Sequence, residues 1–436
     1  MSSRRVVFPS LAVVLSVSAL AGCGVGSQQY GLGMQSPDSL SVTSQSVPGQ
    51  LLVGYTQTRP AISADILRDD PAIKLQLVAP AAGQSMADLQ ATLKQQPGVA
   101  FVEPNWVIPA PSVAPRVASL ATAPILGFDL TSDPLESKQW QLAKINAPQA
   151  WKYSTGRGVT VAVIDTGVDE THPDLQANLV PGYNTLENNS DPHDDNGHGT
   201  NVAGIIAEVG GNGIGGIGVA PDAKIMPVRA LGEQGGTALS VSTAIQYAAD
   251  HGANIINMSL GSSQSSQAIQ SAVNYALGKG VIVVVAMGND GQNGNPTSYP
   301  AAYQGVIAVG ATNPQDQVTP WSDWGSWEAV SAPGYGIWAT FPNYDCALLD
   351  IAKQNPQELP PEDSIQEGYA AISGTSQATP VVSGVVALMK SIDPSLTPAQ
   401  ARQDLMATAR STTGGFDDHY GAGIVDALAA VRSVQQ

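Results

Sequence analysis

Three residues that are far apart in the chain carry side chains that together could break an acyl bond. Asp165 follows the apolar string VAVI, His198 lies between glycines in DDNGHGT, and Ser376 follows a Gly-Thr turn in SGTSQATP. Acyl transfer needs a nucleophile, a base that takes its proton, and a carboxylate that orients the base. These side chains would supply all three groups if the fold brought them together.

Each of these residues also has an ordinary structural explanation. A lone histidine such as His198 is more often a packing or capping residue, and a hydroxyl at a helix start, as at Ser376, is most often an N-cap. The DTG string at Asp165 also matches aspartic proteases, but that chemistry needs a second carboxylate loop. No second DTG or DSG occurs in the sequence, so the aspartic protease alternative is weak.

Acyl transfer has a fourth requirement, which is a donor for the negative oxygen that forms during the reaction. Asn289, in the string VVVAMGND, follows an apolar run and could aim its amide at that oxygen. Taken alone, it could equally be a turn residue. A helix that starts at Ser376 would add backbone N–H groups beside the hydroxyl.

The elements that would position these side chains alternate along the chain. From about residue 135 onward, short Val- and Ile-rich runs alternate with helical patterns, and such continuous runs predict strands buried on both faces. We therefore expect an α/β fold with a doubly wound, mainly parallel sheet and helices on both faces. The runs occupy residues 159–166, 224–231, 254–261, 281–288 and 305–312. Ligands bind beyond the carboxyl ends of the strands in such sheets, where the polar residues above would lie.

The first 22 residues predict an export signal. Two arginines precede an apolar run from Val6 to about Ala21, which is too short to span a bilayer as a helix. The string LAGC at residues 20–23 resembles the bacterial lipoprotein processing box, in which Cys23 would become the lipid-bearing residue. The alternative is an ordinary signal peptide that happens to contain a cysteine.

Three further segments precede the predicted sheet. Residues 23–48 are rich in Ser, Gln and Gly, as in a flexible tether. Residues 49–109 combine apolar runs with one helical pattern and predict a small α+β domain. Residues 110–134 are rich in Pro, Ala, Ser and Thr, which predicts an exposed linker that is open to proteolytic cleavage. The main α/β domain then occupies residues 135–436.

The composition excludes some partners. With 19 Lys and Arg against 36 Asp and Glu, the net charge of −17 disfavours binding to nucleic acid. Besides Cys23 the sequence contains only Cys346, so lipidation of Cys23 would leave no intramolecular disulfide. No histidine-bearing motif surrounds Cys346, which we expect to be a packed or exposed thiol rather than a nucleophile.

Five ordered strings resemble motifs of the subtilisin-like serine peptidases, over about residues 139–427: VIDTG, NGHGT, SLG, MGND and GTSQATP. The resemblance implies that Asp165 orients the imidazole of His198, the general base and later acid, and that Ser376 is the nucleophile. Asn289 and the Ser376 N–H would then form the oxyanion hole. The chain would be an exported endopeptidase that hydrolyses polypeptides as a monomer.

The resemblance extends to the segment before the main domain. The string VAFVEPN, at residues 99–105, matches the V-x-x-V-E-P-N end of the inhibitory propeptides in this family. Residues 49–109 would therefore inhibit the peptidase within the same chain until self-processing in the linker. Because Cys23 lies on the propeptide side of that cut, a lipid-anchored precursor at the cell envelope would release its catalytic domain in soluble form.

The resemblance also assigns residues to the substrate cleft. Two segments would pair with the substrate backbone as added strands, and a third would line the primary specificity pocket. The pairing residues would be Gly235, Gly236, Ser259, Leu260 and Gly261, and the pocket residues would be Ala286, Met287 and Gly288.

Some positions depart from the family pattern. Gln377 stands after the nucleophile where the family usually has Met, and Asn201 stands after NGHGT where it often has His. Neither position transfers a proton. The segment from about 344 to 366 looks like an insertion near the cleft, so the substrate preference is the property least safely inherited.

The chemistry itself implies no cofactor, but many family members bind structural calcium. Asp174, in the HPDL string, and Asn212, in a Gly-rich loop, resemble parts of one such site, and their oxygens suit a hard cation. Asp174 could equally cap or turn the chain.

Two other classes of function remain in competition with a peptidase. A non-catalytic binding protein could keep this fold, although such proteins usually lose a catalytic residue and none is missing here. An esterase could share the chemistry, but the nucleophile lies in GTSQA rather than in a G-x-S-x-G elbow.

Overall fold

The Val- and Ile-rich runs form strands, and the helical patterns between them form helices. The computed structural model describes residues 45–111, 114, 133–356, 359 and 363–435. The strands are β1 (Ser46–Tyr55), β2 (Asp65–Asp70), β3 (Leu75–Ala79), β4 (Val99–Ile108), β5 (Thr160–Asp165), β6 (Tyr183–Asn184), β7 (Lys224–Arg229), β8 (Leu231–Gly232), β9 (Gly235–Thr237), β10 (Ile255–Met258), β11 (Ile282–Ala286), β12 (Ile307–Thr312), β13 (Glu328–Pro333), β14 (Ile337–Thr340), β15 (Ser364–Ile365) and β16 (Tyr369–Ile372).

The helices pack around these strands. They are α1 (Met86–Lys94), α2 (Trp140–Lys144), α3 (Ala147–Ala150), α4 (His198–Ala207), α5 (Ala238–Asp250), α6 (Gln267–Gly278), α7 (Ala347–Gln354), α8 (Thr375–Ile392), α9 (Pro398–Thr408) and α10 (Ala427–Ser433), with 3₁₀ turns at Glu136–Lys138 and Gln176–Asn178. Among the described residues, no helix is long and apolar enough to cross a membrane.

A seven-stranded sheet of order β13-β12-β11-β10-β5-β7-β6 forms the centre of the molecule, and its neighbouring strands pair in parallel. Alternate side chains of β5 enter different cores: Val161 and Val163 pack with α4 and α8, while Ala162 and Ile164 pack with α5 and α6. Burial on both faces explains the unbroken apolar runs. The predicted doubly wound α/β fold is confirmed.

A second, six-stranded sheet begins in the N-terminal segment and ends on short strands of the main domain. Its order is β2-β3-β1-β4-β9-β8, so that the N-terminal strands share a sheet with two short strands of the main domain. On one face, Leu51 and Val53 pack with α1, whereas Leu52 on the other face joins the core formed by α5 and α6. The alternation of period two therefore fixes the N-terminal unit onto the main domain.

The sequence pattern locates some strands better than others. The VAFVEPN string at residues 99–105 lies within β4, while β2 was not predicted, because its sequence DILRDD is mostly polar and lacks apolar alternation. A small third sheet of order β14-β16-β15 includes part of the segment that looks like an insertion. That segment also contains α7, which packs through Leu348 and Leu349 against Phe341.

Candidate active site

Asp165 and His198 meet at the carboxyl end of the central sheet. Asp165 is the last residue of β5, and His198 is the first residue of α4. The imidazole Nδ1 lies 2.8 Å from Asp165 Oδ1, and the two side chains are 1% and 0% exposed. A buried carboxylate at this position fixes the orientation of the ring and leaves Nε2 available to accept a proton.

Asp194 holds the loop that leads into α4. Its Oδ1 accepts hydrogen bonds from Thr166 Oγ1 and from the N–H groups of Asn196 and Gly197, and its Oδ2 accepts two from Thr200. Burial raises the pKa of Asp194, and these hydrogen bonds act in the opposite direction. Because Thr166 follows Asp165 directly, the same carboxylate ties the end of β5 to the start of α4.

Gly199 allows α4 to approach β5 closely. A Cβ at this position would lie 2.1 Å from the carbonyl oxygen of Gly167 and 3.2 Å from Asp165 Cβ. Any side chain would therefore displace the helix from the strand. This contact explains why the histidine is followed by glycine in the NGHGT string.

Ser376 lies in the first turn of α8, where the sequence predicted a helix start. Its Oγ donates to the carbonyl oxygen of Ser259 at 3.2 Å, and Ser259 Oγ donates to the Ser376 carbonyl at 2.8 Å. His198 Nε2 is buried and has no hydrogen-bond partner among the described residues. Hydrogen bonds between a nucleophile and its base are often long or poorly aligned before substrate binds and tighten in the complex.

Asn289 follows β11 and is held by the residue before the serine. Its Oδ1 accepts from both the N–H and the hydroxyl of Thr375, at 3.0 Å each, which leaves Nδ2 free to donate. A Cβ on Gly374 would lie 3.5 Å from Asn289 Nδ2 and 3.5 Å from Ser376 N. Two N–H donors therefore border one space beside the serine, as stabilisation of an oxyanion requires. Sequence reasoning missed the part played by Thr375.

The predicted cleft edge at Gly235 and Gly236 is paired with the chain's own strand β4. Ile108 is opposite Gly236 in antiparallel register. A Cβ on Gly235 would lie 2.2 Å from the Ile108 carbonyl oxygen, so the two backbones are in close contact. An extended peptide thus lies along the edge at which the sequence predicted substrate pairing.

The other predicted cleft segments converge on Ser298. A Cβ on Gly261, which follows Ser259 and Leu260 beyond β10, would lie 2.6 Å from Ser298 Oγ, and one on Gly288 would lie 3.5 Å from Ser298 Cβ. Ala286 and Met287, at the end of β11, are buried. The two predicted segments therefore face the same residue from two strands.

Asp323 forms hydrogen bonds with Gly288 and Asp290, the residues on either side of Asn289. Its backbone N–H donates to the Gly288 carbonyl at 2.9 Å, and its Oδ1 accepts from the Asp290 N–H at 2.8 Å. Burial and the negative charge of Asp290 raise the pKa of Asp323 to about 7. No local pattern indicated this role, because the contact joins residues 33 positions apart.

Glu103 of β4 caps a helix of the main domain. Its carboxylate accepts hydrogen bonds from Ser266 Oγ at 2.8 Å and from the N–H groups of Gln267 and Ala268 at 2.9 Å each. A negative charge at a helix N-terminus is stabilised by the free N–H groups and the helix dipole. Asn105 Oδ1 accepts from the Leu239 N–H near the start of α5, so two residues of the VEPN string bind helix starts.

The segment from 344 to 366 supports the histidine loop. The Ala347 and Leu348 N–H groups donate to the carbonyls of Asp195 and Asn196 at 3.0 Å each, and Tyr344 OH donates to the Asp194 carbonyl at 2.8 Å. Cys346 is buried and free, and burial raises the pKa of its thiol to about 12. A thiol of this kind is not a nucleophile at neutral pH.

The two predicted calcium ligands, Asp174 and Asn212, contact each other. Asn212 donates its NH₂ group to Asp174 Oδ1, and its Oδ1 accepts from a backbone N–H of its own loop. Burial raises the pKa values of Asp174 and of its neighbour Glu208, whose Oε2 accepts from Gln139. Among the described residues no group of three or more acidic, His or Cys side chains is arranged for a metal ion. Asp174 Oδ2 also accepts from Tyr369 OH at 3.2 Å, so both oxygens of this carboxylate have hydrogen-bond partners within the chain.

Two family models match the chain. The model of the subtilase family matches residues 156–423, and that of the fervidolysin N-terminal prodomain matches residues 38–105. The chain belongs to the subtilase family. This subtilase is a serine peptidase that hydrolyses peptide bonds and carries an N-terminal propeptide.

The similarity covers most of the chain. This subtilase is 40% identical over 303 residues to thermitase from Thermoactinomyces vulgaris, a match to 69% of this chain and 99% of thermitase. It is 34% identical over 377 residues to the thermophilic serine proteinase of Bacillus sp. strain AK1, covering 82% of this chain and 83% of that protein.

A similar solved structure is that of fervidolysin from Fervidobacterium pennivorans, described as a keratinolytic enzyme related to subtilisin. It matches with a TM-score of 0.76 and 29% identity over 91% of this chain. The match covers 62% of fervidolysin, so this subtilase spans less than two thirds of that protein.

Proposed function

We propose that this subtilase is an exported endopeptidase that acts through Asp165, His198 and Ser376 and is made as a self-processed precursor. The observation that carries the proposal is the buried contact of 2.8 Å between His198 Nδ1 and Asp165 Oδ1, while no described residue hydrogen-bonds to Nε2. A histidine oriented in this way can accept a proton only through Nε2. Ser376, in the first turn of α8, would be the nucleophile.

Acyl transfer then proceeds in two halves. Ser376 Oγ attacks the carbonyl carbon of the scissile peptide bond while His198 Nε2 takes its proton, and the carboxylate of Asp165 stabilises the resulting imidazolium. When the C–N bond breaks, Nε2 returns that proton to the leaving amine, and the acyl group stays on Ser376. A water molecule next gives a proton to Nε2 and attacks the ester carbonyl. The C–O bond to Ser376 then breaks, Nε2 returns the proton to Ser376 Oγ, and the acid is released.

Asn289 Nδ2 and the Ser376 N–H would bind the oxyanion of each tetrahedral intermediate. The contacts of Asn289 Oδ1 with Thr375 fix the amide before substrate arrives. A donor that is already oriented needs no rearrangement as negative charge develops, which is why such donors lower the barrier.

The propeptide would inhibit the precursor by occupying the substrate edge. Strand β4 pairs with Gly236 as an extended substrate would, and Glu103 attaches the same strand to the start of α6. Cleavage within the linker at residues 110–134 would separate the propeptide covalently but leave these contacts in place. Activity would then appear only as the propeptide dissociates or is degraded.

We further propose that Cys23 carries lipid and anchors the precursor to the membrane, although residues 1–44 lie outside the described part of the chain. A lipoprotein cysteine bears several acyl chains, and more than one chain is needed for stable attachment. Cell fractionation tests this. The Ser376→Ala precursor should remain in the membrane at full length, whereas the active wild-type domain should be soluble. An active domain found only in membranes would exclude release.

The catalytic assignment is tested by the Ser376→Ala substitution and a serine-directed phosphonate. The substitution should leave the chain folded but abolish hydrolysis and self-processing, and the phosphonate should label Ser376 in the wild type. Ser391→Ala is the matched control, because Ser391 lies on the same helix and donates to the Arg157 carbonyl at the surface. Self-processing of Ser376→Ala at the wild-type rate would contradict the assignment.

A further inference from the structure

The two departures from the family pattern contact each other. Asn201 lies three positions after His198 on α4, and Gln377 directly follows Ser376 on α8. Gln377 Nε2 donates to Asn201 Oδ1 at 3.2 Å, and the two residues are 1% and 0% exposed. The hydrogen bond therefore joins the helix of the proposed base to the helix of the proposed nucleophile.

Asn201 is itself fixed from the other side. Its Nδ2 lies 3.4 Å from the carbonyl oxygens of Thr340 and Ala370, in strands β14 and β16 of the small sheet. Since these strands pair with each other, the amide is attached to backbone that is itself hydrogen-bonded in a sheet. Gln377 is thus held by a side chain whose own position is set by sheet backbone.

The other end of the Gln377 amide lies close to Gly374, next to the proposed oxyanion space. A Cβ on Gly374 would lie 2.7 Å from Gln377 Oε1 and 3.5 Å from both Asn289 Nδ2 and Ser376 N. An amide carbonyl oxygen is an acceptor and would compete with the substrate oxyanion for these donors if it turned toward them. The hydrogen bond to Asn201 acts against that rotation.

We propose that Asn201 and Gln377 form a positioning pair that fixes α8 against α4 and holds the Gln377 carbonyl out of the oxyanion space. The pair transfers no proton and acts through His198, Ser376 and Asn289, so this inference rests on the proposed function. It gives the two departures from the family pattern one shared role in this chain. A buried amide needs a partner, and each of these amides supplies one for the other.

A double-mutant cycle on the full-length chain tests the pair, with processing completed by immobilised wild-type enzyme where it stalls. Asn201→Ala and Gln377→Ala should each lower kcat by about 10- to 100-fold with a smaller change in KM, because misplacement of reacting groups acts mainly on the chemical step. The loss of kcat in the double variant should be much smaller than the product of the two single losses, since removing both amides leaves neither one buried without its partner. Combining Asn201→His with Gln377→Met should restore more activity than either change alone.

Asn178→Ala is the control for general loss of a buried amide. Asn178 Nδ2 donates to the Ala207 carbonyl at 2.9 Å, at the opposite end of α4 from His198. This variant should lower the unfolding midpoint in urea but keep kcat per labelled site unchanged. A purely structural role for Asn201 and Gln377 would give the same result as this control and would overturn the inference. A loss of kcat in the double variant equal to the product of the two single losses would also overturn it.

Phosphonate labelling of Ser376 separates this inference from the proposed function. The label counts active sites in every variant, so kcat refers to folded enzyme. If the wild-type Ser376 is labelled and the cycle shows no coupling, the positioning pair is wrong while the catalytic assignment stands. If wild-type Ser376 is not labelled at all, the catalytic assignment fails, and the inference fails with it.

Discussion

Glu103, in propeptide strand β4, accepts a hydrogen bond from the backbone N–H of Gln267, the first residue of α6. The contact joins a residue of the propeptide to a helix of the peptidase domain. Glu103 is 6% exposed, and its carboxylate also binds Ser266 Oγ and the Ala268 N–H. A single side chain thus satisfies several free donors at one helix start.

Glu103→Gln should weaken inhibition by the cleaved propeptide by about tenfold. The neutral amide keeps an acceptor but loses the charge, and hydrogen bonds to charged groups contribute about 1.5 to 3 kcal/mol. The lag between cleavage of the precursor and appearance of peptidase activity should therefore shorten. Asp88→Asn, at a helix start within the propeptide, is the control and should leave the lag unchanged. An unchanged lag in Glu103→Gln would show that the cap does not retain the propeptide.

Asn289→Leu should lower kcat by about 10²-fold or more, with a smaller effect on KM, because the amide would act mainly on the developing oxyanion. Steady-state kinetics on a peptide amide measure both constants. Thr375→Val should give a smaller loss of kcat, since it removes only one of the two hydrogen bonds that orient Asn289 Oδ1. A change confined to KM in Asn289→Leu would place the amide in ground-state binding instead.

Asp323 should make stability depend on pH. Its pKa is raised from 3.8 to about 7, so the folded state binds the proton more tightly than the unfolded state does. The contribution of Asp323 to the free energy of unfolding is then greatest below about pH 4 and is lost as the pH rises to about 7. The Asp323→Asn variant should lack this dependence on pH. Its unfolding midpoint should therefore rise relative to that of the wild type as the pH increases between those two values.

Asp290→Asn is the companion variant for Asp323. The charge of Asp290 is the second cause of the raised pKa, after burial. Removal of this charge should shift the loss of stability with rising pH toward lower pH without abolishing it. If the difference in unfolding midpoint between Asp323→Asn and the wild type stayed constant over this pH range, titration of Asp323 would be excluded as the source of the pH dependence.

Gly199→Ala should abolish activity and lower stability strongly, because its Cβ would lie 2.1 Å from the Gly167 carbonyl oxygen and displace α4 from Asp165. Gly278→Ala, at the last residue of α6, meets nothing within 4 Å and should stabilise the protein by about 0.5 to 1 kcal/mol. Thermal unfolding and peptidase assays compare the two. Activity at the wild-type level in Gly199→Ala would contradict the close approach of helix and strand.

The sequence predicted the parts of the site that depend on local chemistry. Asp165 ends a buried strand and Ser376 lies in the first turn of a helix, so each could be proposed from the residues beside it. The contacts that join distant segments could not be found in this way. Gln377 and Asn201 are 176 positions apart, and neither local string indicates that the two amides meet. The Glu103 carboxylate was likewise visible as part of a motif, while its helix partner was not.

The pairing of β4 with β9 also covers a sheet edge that could otherwise pair with another chain. Once the propeptide leaves, the Gly235–Thr237 strand becomes the margin of a sheet with unpaired backbone groups, which other chains could extend by adding a strand. The strand has only three residues, two of them glycine, so it offers little to a growing aggregate. In the precursor β4 covers this margin, and under the proposed function the margin would become free only as the enzyme becomes able to cut what binds there.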